Sequence, residues 1–502
     1  MWPERSEQLP KPKTLSQLRA DDVNIIADHK REHRGWHDIL CSLLFVVVLG
    51  ICTSIISIAF TYGNPDTLLA PTFETVVWKI EGFTMNEVAT LANDYKAIIC
   101  SFLASLIVAF CWFQLFKRLA LWMMYATLAV AIVGLSVLGG YLFVVYRRYN
   151  NLEFFFLALI FWAIALATLI VGVALRGKLQ FTAQLIKEAS NVLQRNPNIL
   201  GVVGTTFLAY AALCAIWIGA FIYLYTVPSN VHIISTASEP SAELLNQIWN
   251  QNYRGLFWVL FLAAFWITSM VLAVEQYVVA SITIQQLQLD AGHRTRPSRS
   301  ITAIATKEAF TTSFGSLAFG SSIVGLAYFL NIFRRYIATS QQFPGRDNFV
   351  VKLVVRFFTF LIEVVTDFAY IYIALSGKSF LSSSRHVTEL LRTELAQLIV
   401  TEVVLSYLLT VGQLACTALV TLGLVVAIDL INLHVGIITV LAAAMSAYFL
   451  FSVVSKAILV CTNSILVFVL QDLHEHRQDA AYKSPESVRN IILAKLVGHN
   501  EV

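Results

Sequence analysis

Charge is scarce in this chain. Of its 502 residues only 13% are Asp, Glu, Lys or Arg, while 57% are hydrophobic and the mean hydropathy is +0.70. Soluble domains carry about 25% charged residues, so a string of soluble domains is excluded. Loop cysteines are also missing. All seven cysteines (Cys41, Cys52, Cys100, Cys111, Cys214, Cys416 and Cys461) fall inside apolar runs, which leaves no framework for disulfides. No Asn-x-Ser/Thr acceptor occurs. The Gly-x4-Gly-Lys-Ser/Thr phosphate loop is absent, so no ATP-driven pump is indicated, and no His-Glu-x-x-His zinc motif is found. "HEHR" at 474–477 sets its histidines two apart, the wrong spacing for a metal pair on a helix. An enzyme, a cofactor and a metal are therefore not expected. There is no low-complexity tract and no clear internal repeat. A net charge of +4 gives no reason to expect nucleic acid; the basic residues read as topology signals.

What the chain has in abundance is apolar runs long enough to cross a bilayer. Ten are counted: 39–60, 97–116, 119–145, 154–175, 199–225, 255–284, 314–333, 350–374, 402–428 and 434–456, the last continuing as one helix to about 470. Irregular backbone cannot face lipid, so runs of this length are helices. Barrel strands would be shorter and would alternate in polarity. The fold class is all-α, a polytopic membrane protein with about ten transmembrane helices. Ten crossings put both termini on one side. If that side is the cytosol, 24 Lys and Arg lie on it against eight outside, which favours cytosolic N- and C-termini. The organisation is then a polar tail over 1–38, a transmembrane body over 39–470 and a second tail over 471–502. The first tail, with Pro3, Pro10 and Pro12, is unlike the apolar core of a signal peptide. Residues 176–198 read as a short amphipathic helix ended by Asn196-Pro197.

The run at 350–374 carries Lys352, Arg356, Glu363 and Asp367. At 100° per residue these four and Tyr370 form one stripe about 60° wide. Its outer end is basic and its cytosolic end acidic. A charge facing lipid at mid-bilayer costs several kcal/mol, so the stripe must face other helices, a water-filled cavity or headgroups. Two readings follow: an interfacial helix with solvated charges, or a cation path lined by the acidic end. In 255–284, Trp258, Trp266 and Tyr277 lie along one side with Glu275 nearby. Aromatic faces recognise ammonium groups that cannot donate hydrogen bonds, though an interfacial belt and ordinary packing would use the same residues. In "SFGSLAFGSSIVG", Gly315, Ser316, Gly320, Ser321 and Gly325 supply small residues at helical spacing, the pattern of close helix packing.

Three stretches carry a resemblance to a known family: "GSLAFGSSIVGLAYFLN" (315–331), "AYIYIALSGKSFLSSSRHVTELL" (369–391) and "FVLQDLHEH" (468–476). They resemble the choline transporter-like family, in its fungal and protist branch with a short first loop. The likeness extends weakly to "GWHDILCSLLFVVVLG" near the N-terminus. Ile282-Thr283, Thr366-Asp367-Phe368 and Gln471 depart from the family pattern and mark a distant member. The resemblance implies a transporter of about ten helices that moves a small organic cation, choline or ethanolamine first, by facilitated or ion-coupled alternating access. The bilayer and the solute are then its partners, and the plasma membrane its expected location. A channel or exporter for another solute, or a scaffold that transports nothing, are the alternatives.

Overall fold

The computed structural model describes residues 38–62, 95–174, 176–225, 241–292, 300–339, 349–430, 437–475 and 484–486, together with Arg489. Eleven helices account for most of these: α1 (Ile39–Tyr62), α2 (Tyr95–Tyr149), α3 (Leu152–Ala174), α4 (Arg176–Arg195), α5 (Asn198–Tyr225), α6 (Ser241–Asp290), α7 (Ile301–Phe310), α8 (Phe314–Thr339), α9 (Phe349–Ser376), α10 (Phe380–Leu430) and α11 (Ile437–Glu475). No strand occurs among the described residues. Eight helical segments are long and apolar enough to cross a membrane. The two predicted spans outside that set are also helical: 97–116 lies in the first half of α2, and 350–374 is the charge-bearing α9. Of the predicted tails 1–38 and 471–502, residues 1–37, 476–483, 487–488 and 490–502 lie outside the described residues, as does the loop at 63–94 after α1.

The outer surface shows what solvent the fold is built for. Leu40, Ile107, Val173 and Leu419 are each more than 60% exposed, on four different helices. Lipid tails, not water, tolerate such a coat. The opposite holds for α11. In an eighteen-residue apolar window of its membrane-length segment 89% of residues are buried, against 39% or fewer in the corresponding windows of the other seven. Its sequence explains this, because "LAAAMSAYFLFSVVSKAILVCTNSIL" mixes small and apolar residues on all sides, and such a helix can be approached from every direction. Around it stand α2, α4, α5, α6, α9 and α10. α8 packs against α1, α6 and α9.

Two expectations need correction. The hydropathy pattern predicts a break at Lys117-Arg118, yet α2 runs unbroken from Tyr95 to Tyr149. No Pro or Gly lies between Gln114 and Gly134, so nothing there stops a helix. Likewise residues 380–401, which the same pattern assigns to a loop, are about the first six turns of α10. The amphipathic helix over 176–198 is present as α4, with Leu185, Ile186, Ala189 and Leu193 buried against the bundle. It ends where Asn196 donates its backbone N–H to Val192 and Pro197 follows. The Asn196 amide donates to Gln286, and Arg195 pairs with Asp290, so its end is tied to the end of α6.

Candidate cation site

The charged stripe divides on α9. Arg356 is exposed, and the side chain of Lys352 is not among those described. Glu363 and Asp367 are partly buried, and Tyr370 is buried at 3% exposure. The reason is the packing of α9, whose inner half is enclosed by α6, α8, α10 and α11. The acidic end thus points into protein, while the basic arginine does not.

Around that end the bundle gathers further charge. Glu275 on α6 is buried at 3% exposure, and Glu402 comes from α10. Lys456 on α11 attracts all four carboxylates: Glu275, Glu363, Asp367 and Glu402. Gln276 stands beside Asp367, and Asn463 beside Glu402. Four helices therefore meet at one polar centre inside an apolar bundle. Buried charge is costly unless paired and hydrogen-bonded, and here one lysine lies within electrostatic reach of four carboxylates. Several polar atoms stay unsatisfied. Among the described residues, Glu275 Oε1, Glu402 Oε2, the Tyr370 hydroxyl and the Ser455 hydroxyl are buried without a hydrogen-bond partner. A centre of net negative charge with spare acceptors is chemically suited to a cation.

Of the sequence candidates, Glu275, Glu363, Asp367 and Tyr370 come together here. The aromatic residues of α6 do not join them. Trp258 lies edge-on to Phe257, Phe261, Phe329 and Phe333. Trp266 donates from Nε1 to the Ala318 carbonyl at 3.0 Å and meets the Phe45 ring edge-on. Tyr277 is fully buried, its hydroxyl accepting from Ser313 at 3.0 Å. Nineteen residues of one helix separate Trp258 from Tyr277, about 28 Å, so they cannot border one small ligand. Their faces are used in packing.

The small residues behave as their spacing predicts. Gly315, Ser316, Gly320 and Ser321 are buried on α8. A Cβ on Gly325 would stand 2.9 Å from Trp266 Cα, so the backbones of α6 and α8 approach closely there. Ser321 donates to Ala318 O, and Ser316 donates to the Asp38 carboxylate at 2.8 Å.

Sequence reasoning misses Glu402, Lys456, Gln276 and Asn463 as site residues. A signal exists for two of them: Lys456 and Asn463 stand seven apart, hence on one face of an otherwise apolar stretch. Nothing in the sequence places Glu402 opposite that face.

A family model described as plasma-membrane choline transporter matches residues 159–474. A CTL-like protein of Dictyostelium discoideum is 25% identical over 482 residues, covering 90% of this chain and 87% of the relative. Choline transporter-like protein 4 of Mus musculus is 22% identical over 383 residues, covering 64% of this chain and 52% of that protein. Protein PNS1 of Candida albicans is 27% identical over 228 residues, covering 43% of this chain and 42% of its own. The matched region contains α4 through almost all of α11, and with them every residue of the polar centre. This chain belongs to the plasma-membrane choline transporter family.

Proposed function

We propose that the chain transports a small organic cation, choline or ethanolamine first, through alternating access around the polar centre formed by Glu275, Glu363, Asp367 and Glu402. One observation carries this reading: carboxylates from three helices and a lysine from a fourth lie within electrostatic reach of one another inside an apolar bundle. An arrangement so costly to bury is kept in membrane proteins where ions or charged solutes pass. Family membership gives the transport activity; the centre gives the sign of the solute's charge. The small-residue face of α8 against α6 is a contact that can slide, as alternating access requires. On this reading both termini lie in the cytosol and the membrane crossed is the plasma membrane.

The test is uptake of radiolabelled choline and ethanolamine into proteoliposomes holding the purified full-length protein. Saturable flux of either is expected, and its absence for both with folded protein would reject the substrate. Asp367→Asn and Glu402→Gln keep shape and remove charge. Removing one member of a buried charge pair costs about 2–5 kcal/mol, so each variant should lose flux by about thirtyfold or more. A variant that keeps full flux would remove that carboxylate from the site.

A further inference from the structure

From Asp367 in the polar centre, α9 continues to its end at Ser376, about 14 Å further along. Aromatic rings close that stretch. Tyr370, one turn on from Asp367, meets Phe380 of α10 at 6.1 Å, and Phe380 stands edge-on to Phe319 of α8 at 5.5 Å. Phe380 is buried, wedged where Gly320 leaves room for it. A Cβ at 320 would come within 2.5 Å of the Phe380 ring and 2.8 Å of the Tyr370 hydroxyl. At this same phenylalanine three helix starts are tied together. Asp38, just before α1, accepts from the Phe380 N–H at 3.3 Å and from the Ser316 hydroxyl of α8 at 2.8 Å. α1 packs on α5, α6 and α8, and the carboxylate adds a tie to α10.

The tie is one that can be undone. It consists of two hydrogen bonds to a partly exposed carboxylate, which water can replace. What it holds shut also carries a cost. The hydroxyls of Tyr370 and of Ser383, three residues after Phe380, are buried without a hydrogen-bond partner among the described residues. Their lost hydration opposes the closed arrangement and is recovered when water enters. A joint lies next to the ring. Residues 377–379 alone separate α9 from α10, and Gly377 has a φ of 70°, which glycine adopts without strain. Hinges are a few element-terminal residues of this kind. Resting on the cation-transport reading, we infer that the Phe380 ring is the gate between the polar centre and the face where α1, α8 and α10 begin, and that Asp38 is its latch. On that reading this face is cytosolic. The path opens when Asp38 lets go and the start of α10 swings about Gly377, carrying the ring off Tyr370 and Gly320.

The test reads access to the centre from each face of the membrane. The reporter is Thr366→Cys in the full-length chain with its seven native cysteines replaced by serine. Thr366 is buried one turn beneath Tyr370 on the same side of α9. A quaternary-ammonium methanethiosulfonate, which does not cross bilayers, is applied to right-side-out and to inside-out vesicles. Asp38→Ala should speed labelling at position 366 about ten- to a hundredfold, the range for hydrogen bonds lost to a charged group. The gain should come from the face where α1 begins and not from the other. Phe380→Ala should do at least as much. A role in packing alone predicts no change, or a rise from both faces alike, and either result overturns the inference. Should Phe380→Ala fail to fold, Phe380→Leu takes its place, since it keeps bulk and loses the ring contacts. The converse experiment shuts the gate. Asp38→Cys with Ser316→Cys, bridged by a short bifunctional methanethiosulfonate, should stop choline or ethanolamine flux, and a reductant should restore it. Full flux with the bridge in place also overturns the inference. If the wild type moves neither solute, the transport reading fails by itself, and the labelling rates decide for the gate.

Discussion

Gly320 and Gly325 stand five residues apart on α8, and the matter they lean on differs. A Cβ at 325 would press on the main chain of Trp266, at 2.9 Å from Cα and 3.0 Å from N. Backbone in a helix cannot step aside singly, so Gly325→Ala must push α6 and α8 apart. A Cβ at 320 would meet the Phe380 ring and the far end of Tyr370. Those atoms can rotate away, at the expense of the ring contact between Tyr370 and Phe380. Gly423 has nothing within 4 Å and provides the reference. Overpacking costs typically about 1–3 kcal/mol, whereas Gly→Ala in an open helical position gains about 0.4–1 kcal/mol. Thermal unfolding in detergent should therefore order the variants Gly423→Ala, Gly320→Ala, Gly325→Ala from most to least stable. Equal midpoints for Gly423→Ala and Gly325→Ala would mean that the two helices do not touch there. This contact is legible in the sequence alone, because small residues at four-residue spacing have one common use between membrane helices. The unpaired oxygens of Glu275 and Glu402 are not, since pairing is decided by neighbours far away in sequence.

Helix boundaries show where patterns mislead. Hydropathy finds every long apolar helix, but it divides α2 at Lys117-Arg118 and starts α10 twenty-two residues late. In both cases polar residues imitate a loop while the absence of Pro and Gly keeps the helix going. How the helix ends are held is hidden too. Asp38, just before α1, has the left-handed φ of 57° that Asp and Asn tolerate better than other side chains. Its Oδ2 accepts from the Ser316 hydroxyl at 2.8 Å and the Phe380 N–H at 3.3 Å. One carboxylate thus joins the start of α1 to the first turns of α8 and α10. The free N–H groups and dipoles of helix N-termini favour an anion there. Asp38→Ala loses both bonds and strains the backbone, and should destabilise by about 1–3 kcal/mol. Asp38→Asn keeps the φ and a carbonyl acceptor and should fall between Ala and wild type by thermal unfolding. If Ala and Asn behaved alike, neither the backbone preference nor the acceptor would be at work.

At the scale of the whole molecule, the site exists because α11 is enclosed and polar at once. Along it Lys456, Asn463, Gln471 and Asp472 succeed one another, and each meets a group from another part of the chain. Lys456 lies within electrostatic reach of the carboxylates, and Asn463 stands beside Glu402. Gln471 bonds His386 at 2.8 Å, and His386 stacks on Tyr372 at 4.7 Å. The last link reaches past the membrane helices. Asp472, buried at 3% exposure, accepts from the Ser484 N–H at 2.7 Å and from its hydroxyl at 2.5 Å. Ser484 is itself buried at 3%, so a residue twelve positions further along the chain is docked back on the bundle. A sequence reading that ends the membrane body at 470 puts both partners in one polar tail and does not pair them, because nothing local shows that the acid lies on the last helix and the serine folds back to it. Hydrogen bonds to a charged group are worth about 1.5–3 kcal/mol. Ser484→Ala keeps the N–H bond and loses the other, so docking should loosen by that amount. Ser484→Glu sets one carboxylate against another in a buried place and should release the segment outright. Limited proteolysis of the detergent-purified protein reads this directly: cleavage after Glu475 should speed up modestly in Ser484→Ala and strongly in Ser484→Glu. Asp472→Asn in the Ser484→Glu background removes the repulsion and should slow cleavage again, whereas equal rates in all four proteins would show that the Ser484–Asp472 pair does not hold the tail.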